Sequence, residues 1–330
     1  MRDDLFGFAV ATNYDGNVVV VGAMGVDVHN KNDNNGAVYV FVRTERNSPS
    51  SSFKEVQKIL PNHKDTNQGW FGTAVDLSDD ASTLVVGADG TDIMGEDFGA
   101  AFVFTAKQDG NGQLAYDETS KLIHGDDLQP RDKEDWNGNR VSVSADGRTV
   151  LTSAYGYNGG GGAFIFVRDG PSLTSPWTQQ ATLVAKDRED RDSMGISADL
   201  SADGMTVVVG APLEDTGNSH AGAAYVFKRV GNEWTQIAKL MPSDKQFGGF
   251  EFGRAATISR DGGAIAVGAG QDPFESEMVD ALDEDDSSEE ANFLREINEQ
   301  DRSGAVYVYG LHEGDDGWIR PSRENARDEL

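Results

Sequence analysis

The chain has 330 residues with 39 Gly, 9 Pro and no Cys, and its 56 Asp plus Glu against 28 Lys plus Arg give a net charge of −28. This length allows one large domain with a sizeable core. So acidic a surface repels phosphates and anionic lipids, and we therefore expect no nucleic-acid partner. The lack of Cys excludes disulfides and thiolate metal sites. Because no apolar run of about 18 residues is present, we expect no direct membrane insertion.

A short segment recurs five times along the chain, as in Phe71-Gly72-Thr73-Ala74. A second landmark, Gly-Ala, follows each copy at a constant interval, with Ser153 replacing its glycine in the third repeat. Self-similarity of this kind indicates a repeat architecture. The glycines of the first landmark are Gly7, Gly72, Gly138, Gly195 and Gly253, and those of the second are Gly22, Gly87, Gly210 and Gly268.

Each repeat predicts four strands in chain order. The first strand alternates in polarity, and an Asp-Gly hairpin follows it, except that repeat two has Asp80-Ala81, which should strain the turn or force a longer loop. The second strand is continuously apolar, as in 18–21, and should be buried on both faces. The third begins at Gly36, Gly99, Gly162, Gly222 and Gly304, and the fourth is led by Phe53, Tyr116, Trp177, Trp234 and Trp318. Four-stranded units of this size, without helices between them, predict an all-β propeller of five antiparallel blades.

The predicted blades cover approximately residues 5–61, 70–124, 136–185, 194–241 and 252–320, within a single propeller of 1–320 and a tail of 321–330. A fragment of a six- or seven-bladed propeller is the alternative. Blade five carries an insertion at 271–303 with 13 acidic residues against 2 Arg. It is either a tolerated surface loop or a flexible acidic arm for a partner. Pro321 follows Trp318 closely, so the outer strand of blade five should be short.

These landmarks, together with Gly222-Ala223-Ala224-Tyr225-Val226-Phe227 and Trp234-Thr235-Gln236, resemble FG-GAP repeats of the integrin α N-terminal propeller, particularly the bacterial and protist integrin-like type. The resemblance implies a non-catalytic platform for ligand recognition or cell adhesion, placed outside the cell or at its surface. Some members bind Ca²⁺ in the strand 1–2 hairpin. Here that hairpin is too short to supply six to eight oxygens, so we expect no metal there and no cofactor. Weak divalent-cation binding on the acidic loops remains open.

In the family, the connections between strands two and three and between blades form the ligand surface, here called the loop face. The residues that the resemblance places there, or in the adjoining insertion, are acidic. They are Asp27, Asp33, Asp92, Asp97, Glu214, Asp215, Asp285 and Asp286. Simple solvation of acidic loops is the competing interpretation of all of them. A protein or glycan ligand on this face, bound by a monomer, is the expected partner.

Catalytic motifs are not evident in the sequence. The five His show no short metal-binding spacing, and neither a nucleophile elbow nor a P-loop occurs, so the chain is predicted not to be an enzyme. A lectin-like propeller is the first alternative and would be favoured by exposed aromatic residues at loop tips. A propeller hydrolase is the second, because fold does not decide function. The C-terminal 327–330, Arg-Asp-Glu-Leu, is close to an ER-retention signal, so the ER lumen is an alternative location if the true N-terminus lies further upstream.

Overall fold

The computed structural model of the chain describes residues 4–28, 34–46, 48–62, 69–93, 97–125, 134–215, 221–242, 251–270, 305–311 and 318–319. The insertion predicted at 271–303, and the tail from 321 onward, lie outside these residues. The described part holds no helix with the length and apolar character that a bilayer crossing requires.

In the described residues, twenty strands form five antiparallel sheets of four, and in each sheet the strands pair in chain order, which confirms the predicted architecture of five four-stranded blades. Blade 1 is β1 (Phe6–Thr12), β2 (Val18–Ala23), β3 (Ala37–Arg43) and β4 (Phe53–Ile59). Blade 2 is β5 (Ala74–Leu77), β6 (Thr83–Ala88), β7 (Ala100–Gln108) and β8 (Leu114–Leu122). Blade 3 is β9 (Val141–Val143), β10 (Thr149–Ala154), β11 (Gly162–Arg168) and β12 (Trp177–Leu183).

Blade 4 is β13 (Ser197–Leu200), β14 (Thr206–Ala211), β15 (Ala223–Val230) and β16 (Glu233–Leu240). Blade 5 is β17 (Ala255–Ile258), β18 (Ala264–Ala269), β19 (Ala305–Leu311) and β20 (Trp318–Ile319). The described outer strand of blade 5 thus has two residues, as the nearby proline predicted. The second strands of the first four blades are almost entirely buried. Those of blades 2 to 4 lie between two neighbouring blades, which explains their apolar character.

Neighbouring blades pack face to face, with their first strands side by side around the central axis. At the junction of blades 1 and 2, Val20 and Val40 of one blade join Phe71, Leu84 and Phe102 of the next in one buried apolar cluster. An isolated parallel bridge also ties each blade to the next. These bridges pair Gly36 with Phe71, Gly99 with Asn137, Gly161 with Met194, and Gly222 with Phe252.

The Gly-Ala glycines let the blades approach closely. A Cβ on Gly87 would lie 2.0 Å from the carbonyl oxygen of Gly138, and Gly22 and Gly210 have equivalent neighbours at 2.0 and 1.9 Å. Blade 3 has Ser153 at this position, and its hydroxyl donates to the Gly195 carbonyl at 2.7 Å. A side chain is therefore accepted there because it forms a hydrogen bond across the junction.

Among the described residues, no contact forms a fifth junction between blades 5 and 1. A Cβ on Gly268 would meet only Ala255 of its own blade, and one on Gly7 would meet no described atom within 4 Å. The face of blade 1 that would contact a preceding blade exposes 57% of Phe6 and 61% of Val10. The opposite face of blade 5 exposes 66% of Val306 and 54% of Val308. In the part of the chain that the structure describes, the five blades therefore form an open arc with an apolar face at each end.

The Asp-Gly hairpins form a belt around the axis at the opposite end from the loop face. The amide N–H groups of Tyr14, Asp79, Ala145 and Ala202 each donate to the corresponding carbonyl of the next blade, the last being that of Arg260, at 2.8 to 3.3 Å. The Arg260 guanidinium then returns across the axis. It donates to the Asp79 carboxylate at 2.7 Å and lies over the Tyr14 ring at 4.5 Å from the centroid.

Candidate functional site

Four polar residues converge on the loop face where blades 2 and 3 meet, and we call them the mouth cluster: Thr73, Asp89, Asn139 and Arg140. Thr73, Asn139 and Arg140 immediately precede inner strands, and Asp89 directly follows β6. Asn139 Nδ2 donates to Asp89 Oδ2 at 3.0 Å, and Arg140 Nη1 donates to the Asn139 carbonyl at 3.0 Å. Thr73 interacts with the same carboxylate. The repeat thus places an acid, an amide, a hydroxyl and a cation together.

Two acceptor oxygens in this cluster lack hydrogen-bond partners among the described residues. They are Asp89 Oδ1 and Asn139 Oδ1, both of which are buried. The Asp89 side chain as a whole is 5% exposed. Leaving a buried acceptor unpaired costs about 1–3 kcal/mol, so such a group needs a physical explanation. A ligand that brings hydrogen-bond donors would supply one.

The charges in the cluster partly balance each other. Burial raises the pKa of Asp89, while the hydrogen bond from Asn139 and the charge of Arg140 act in the opposite direction. Burial lowers the pKa of Arg140, and the charge of Arg254 lowers it further, whereas Asp89 raises it. Arg254 forms its own ion pair with Glu251 at 3.0 Å. The mouth cluster therefore combines one carboxylate, Asp89, and one cation, Arg140, with a second arginine nearby.

Three aromatic rings, here called the aromatic stack, border the mouth cluster. The rings of Trp70 and Trp136 are stacked at a centroid distance of 5.5 Å, and those of Trp136 and Tyr155 at 5.9 Å, each pair within 7° of parallel. All three side chains are half-buried. Burial and the nearby charge of Asp89 raise the pKa of Tyr155. The stack offers a planar apolar edge beside polar groups.

A repeated backbone conformation positions the two tryptophans. The residue before each first-landmark pair has a positive φ, and in this position stand Leu5, Trp70, Trp136, Ser193 and Glu251. The left-handed conformation costs an L-residue about 1–2 kcal/mol, so the surrounding repeat must hold it in place. These two tryptophans lie in the connections between blades and are half-buried, whereas the lectin-like alternative calls for exposed aromatic residues at loop tips.

The loop-face acids predicted from sequence have different environments. Asp27 Oδ1 accepts from the amide of Asn34 at 3.1 Å, and Asp92 Oδ1 accepts from that of Asp97 at 2.9 Å, so both brace their own loops. Asp97 and Glu134 lie close enough to Tyr155 to raise its pKa. Asp33, Asp285 and Asp286 lie outside the described residues.

Glu214 and Asp215 separate in space although they are adjacent in sequence. Asp215 is exposed, whereas Glu214 is buried and accepts from Lys239 Nζ at 2.8 Å. The same ammonium donates to Asp187 at 2.7 Å. Asp192 lies nearby, and burial together with the Glu214 charge raises its pKa. This group is a partly buried ion-pair network, in which Glu214 is buried and Asp187 reaches the solvent.

The hairpin carboxylates are used by their own turns. Asp146 and Asp203 each accept from the serine hydroxyl two residues earlier, at 2.7 and 2.6 Å, and from the amide two residues later. Ala81 adopts a φ of 57°, so the strained turn predicted for repeat two is present at unchanged length. Within the described residues, no group of three or more His, Asp or Glu side chains is arranged to hold a metal ion.

Sequence reasoning missed the mouth cluster and one buried histidine. The residue after each repeated glycine varies, with Phe8, Thr73, Asn139, Ile196 and Arg254 in the five repeats. The change from apolar to polar residues at this one repeat position was the sequence signal that could have indicated the mouth cluster. His124 is stacked between Phe98 and Phe164 at centroid distances of 4.5 and 4.2 Å, with its Nε2 3.4 Å from Asp135. This pair is enclosed by aromatic rings, so we assign it to packing.

Comparison with known proteins identifies the repeat and the fold. The periplasmic gluconolactonase of Pseudomonas aeruginosa matches with 14% identity and a TM-score of 0.56, over 97% of this chain and 72% of that one. A Bacteroides uniformis protein, whose name proposes a 6-phosphogluconolactonase, matches with 10% identity and a TM-score of 0.55, over 96% of this chain and 72% of that one. A search of curated protein sequences finds no match.

The prediction that the chain is not an enzyme was wrong as an exclusion, because these propellers of similar fold carry lactonase names. Identities this low establish the fold alone. A family model described as FG-GAP repeat matches residues 1–41, 53–104 and 177–227. The last two matches begin on the outer strand of one blade and end on the third strand of the next. The chain therefore has a β-propeller-type fold, and three parts of it match the FG-GAP repeat model.

Proposed function

We propose that this chain is a ligand-recognition propeller, and that its ligand binds on the loop face at the mouth cluster. The pair of buried acceptor oxygens without partners, Asp89 Oδ1 and Asn139 Oδ1, carries the proposal. A protein that keeps such a cost in its ligand-free state commonly does so at a functional site. Adhesion outside the cell is the biological setting we favour, since FG-GAP repeats are typical of extracellular proteins.

Binding by the labelled chain to a glycan array and to a panel of immobilised proteins tests this proposal. We expect binding on at least one panel, reduced at least tenfold by Asp89→Ala and by Arg140→Ala. Asp117→Ala is the matched control, because this exposed carboxylate on β8 lies on an outer strand. Binding that is absent from both panels, or that survives both mouth substitutions, would contradict the proposal.

A second candidate function is lactone hydrolysis at the same cluster. It is favoured by one observation, the raised pKa of the buried Asp89 beside the Arg140 cation. A carboxylate whose pKa moves toward neutrality can act as a general base, here accepting a proton from the water that opens the ring ester to a hydroxy acid. Hydrolysis of gluconolactone, followed with a pH indicator, tests it. A rate equal to the uncatalysed background, or one unchanged in Asp89→Asn, would exclude this function.

A further inference from the structure

We infer that the ligand of the mouth cluster is a neutral sugar, recognised through its hydroxyl groups. This inference rests on the proposed function and names the ligand class for that site. The two unpartnered oxygens are acceptors, so the ligand must bring donors. Arg140 has only donors to offer, so the ligand must also bring acceptors. Neighbouring hydroxyl groups of a sugar meet both requirements, because each hydroxyl donates one hydrogen bond and accepts others.

The charge of the site favours a neutral ligand over an ion. Asp89 and Arg140 offset each other locally, and the nearby Arg254 is paired with Glu251, while the whole chain carries a net charge of −28. An anionic ligand would be repelled by that field, and a free metal cation would meet the Arg140 guanidinium. A neutral polar molecule experiences neither penalty.

The aromatic stack supplies the apolar surface that a sugar ring requires. Trp70, Trp136 and Tyr155 are half-buried, and Tyr155 lies near enough to Asp89 for that charge to raise its pKa. Sugar rings have apolar C–H faces as well as hydroxyl edges, and amphipathic aromatic residues suit such mixed surfaces. We therefore expect a sugar whose hydroxyl edge bonds Asp89 and Asn139 to turn its C–H face toward the stack.

Access to the two oxygens requires one side chain to move. Asp89 Oδ1 and Asn139 Oδ1 are shielded from solvent, whereas the Asn139 and Arg140 side chains are half-buried. We expect Arg140, which bonds the Asn139 carbonyl at 3.0 Å, to rotate on binding and to donate to a ligand hydroxyl instead. Binding should therefore perturb the fluorescence of Trp136, three residues before Asn139 in sequence.

Titration of the full chain with neutral pyranoses, uronic acids and amino sugars, followed by tryptophan fluorescence and calorimetry, tests the inference. We expect saturable binding of at least one neutral pyranose, weaker binding of its uronate, and no requirement for added Ca²⁺. Asp89→Ala and Asn139→Ala should each weaken binding at least tenfold. Asp117→Ala should leave the affinity unchanged, and Asp89→Asn provides a second variant if Asp89→Ala does not fold.

The possible failures are distinguishable. A mouth-dependent protein ligand with no sugar binding would overturn the sugar inference and leave the proposed function standing. Binding of a metal ion alone, or preference for a charged sugar, would also overturn it. Sugar binding that is insensitive to Asp89→Ala, Asp89→Asn and Asn139→Ala would place the ligand elsewhere, and both the site and the inference would then fall.

Discussion

The Gly-Ala glycines offer a direct test of how the blades pack. The perturbation is a single methyl group, introduced as Gly87→Ala at a formed junction and as Gly268→Ala at the open one. At Gly87 the new Cβ would lie 2.0 Å from the Gly138 carbonyl oxygen, so blades 2 and 3 must separate by about 1 Å to restore a normal contact. At Gly268 the nearest atom is the Ala255 Cβ at 3.4 Å, which is an ordinary contact.

The two substitutions should change the free energy of unfolding in opposite directions. Overpacking of this severity costs about 3 kcal/mol, so Gly87→Ala should lower the free energy of unfolding by that amount and the melting temperature by about 5 °C. Gly268→Ala should raise the free energy of unfolding by about 0.5 kcal/mol, since Ala loses less backbone entropy than Gly in a strand. Gly87→Ser should cost less than Gly87→Ala, because Ser153 holds the corresponding position through a hydrogen bond across its junction.

Urea and thermal unfolding followed by circular dichroism would measure both effects. If Gly87→Ala proves neutral, blades 2 and 3 do not approach as closely as the structure shows. If Gly268→Ala is destabilising by a similar 3 kcal/mol, a further contact covers the end of blade 5 in solution, and the open arc is wrong.

Three further predictions address the turns, the axis and the belt. Gly16→Ala should lower the free energy of unfolding by about 1 kcal/mol in urea titrations, because Gly16 has a φ of 65° with no steric obstacle; an unchanged value would contradict the turn. Burial, with the Asp199 charge, raises the pKa of Asp76 to about 7, so stability should fall as pH rises from about 4 to 7, by at most about 4 kcal/mol. Asp76→Asn should remove that fall, and a pH-independent difference in urea-unfolding free energy between wild type and variant would refute the assignment. Arg260→Gln should lower the melting temperature in low salt but not in 1 M salt, because salt screens the exposed ion pair between Arg260 and Asp79. An equal decrease at both salt concentrations would show that this ion pair does not cause the change.

The blade architecture was predictable because it depends on local patterns. Val-rich second strands, Asp-Gly turns and repeated glycines specify strand, hairpin and close approach within one repeat. The positions where single repeats differ from the others were also predictable from the sequence. Asp80-Ala81 indicated a strained turn, and Ala81 has the left-handed backbone that this turn requires. Met194 and Asn137 replace the landmark phenylalanine, and both remain buried at their junctions.

The candidate site was not predictable in the same way, because its members come from different repeats. Thr73 and Asp89 belong to blade 2, whereas Asn139 and Arg140 belong to blade 3, and each looks ordinary within its own repeat. Glu214 was predicted from the sequence as a residue of the ligand surface because it is acidic, but the fold buries it against Lys239. An acid in a sequence this acidic says little until its neighbours are known.

The sequence by itself determined the repeat, the order of the strands and the turns that connect them, because these depend on residues close together in the chain. Only the tertiary structure decided that the ends of the arc stay apart, with Phe6 and Val308 exposed. It also decided that Asp89 and Asn139 meet with two oxygens unpaired. Both outcomes depend on the angle and spacing between blades, which is set by packing across junctions.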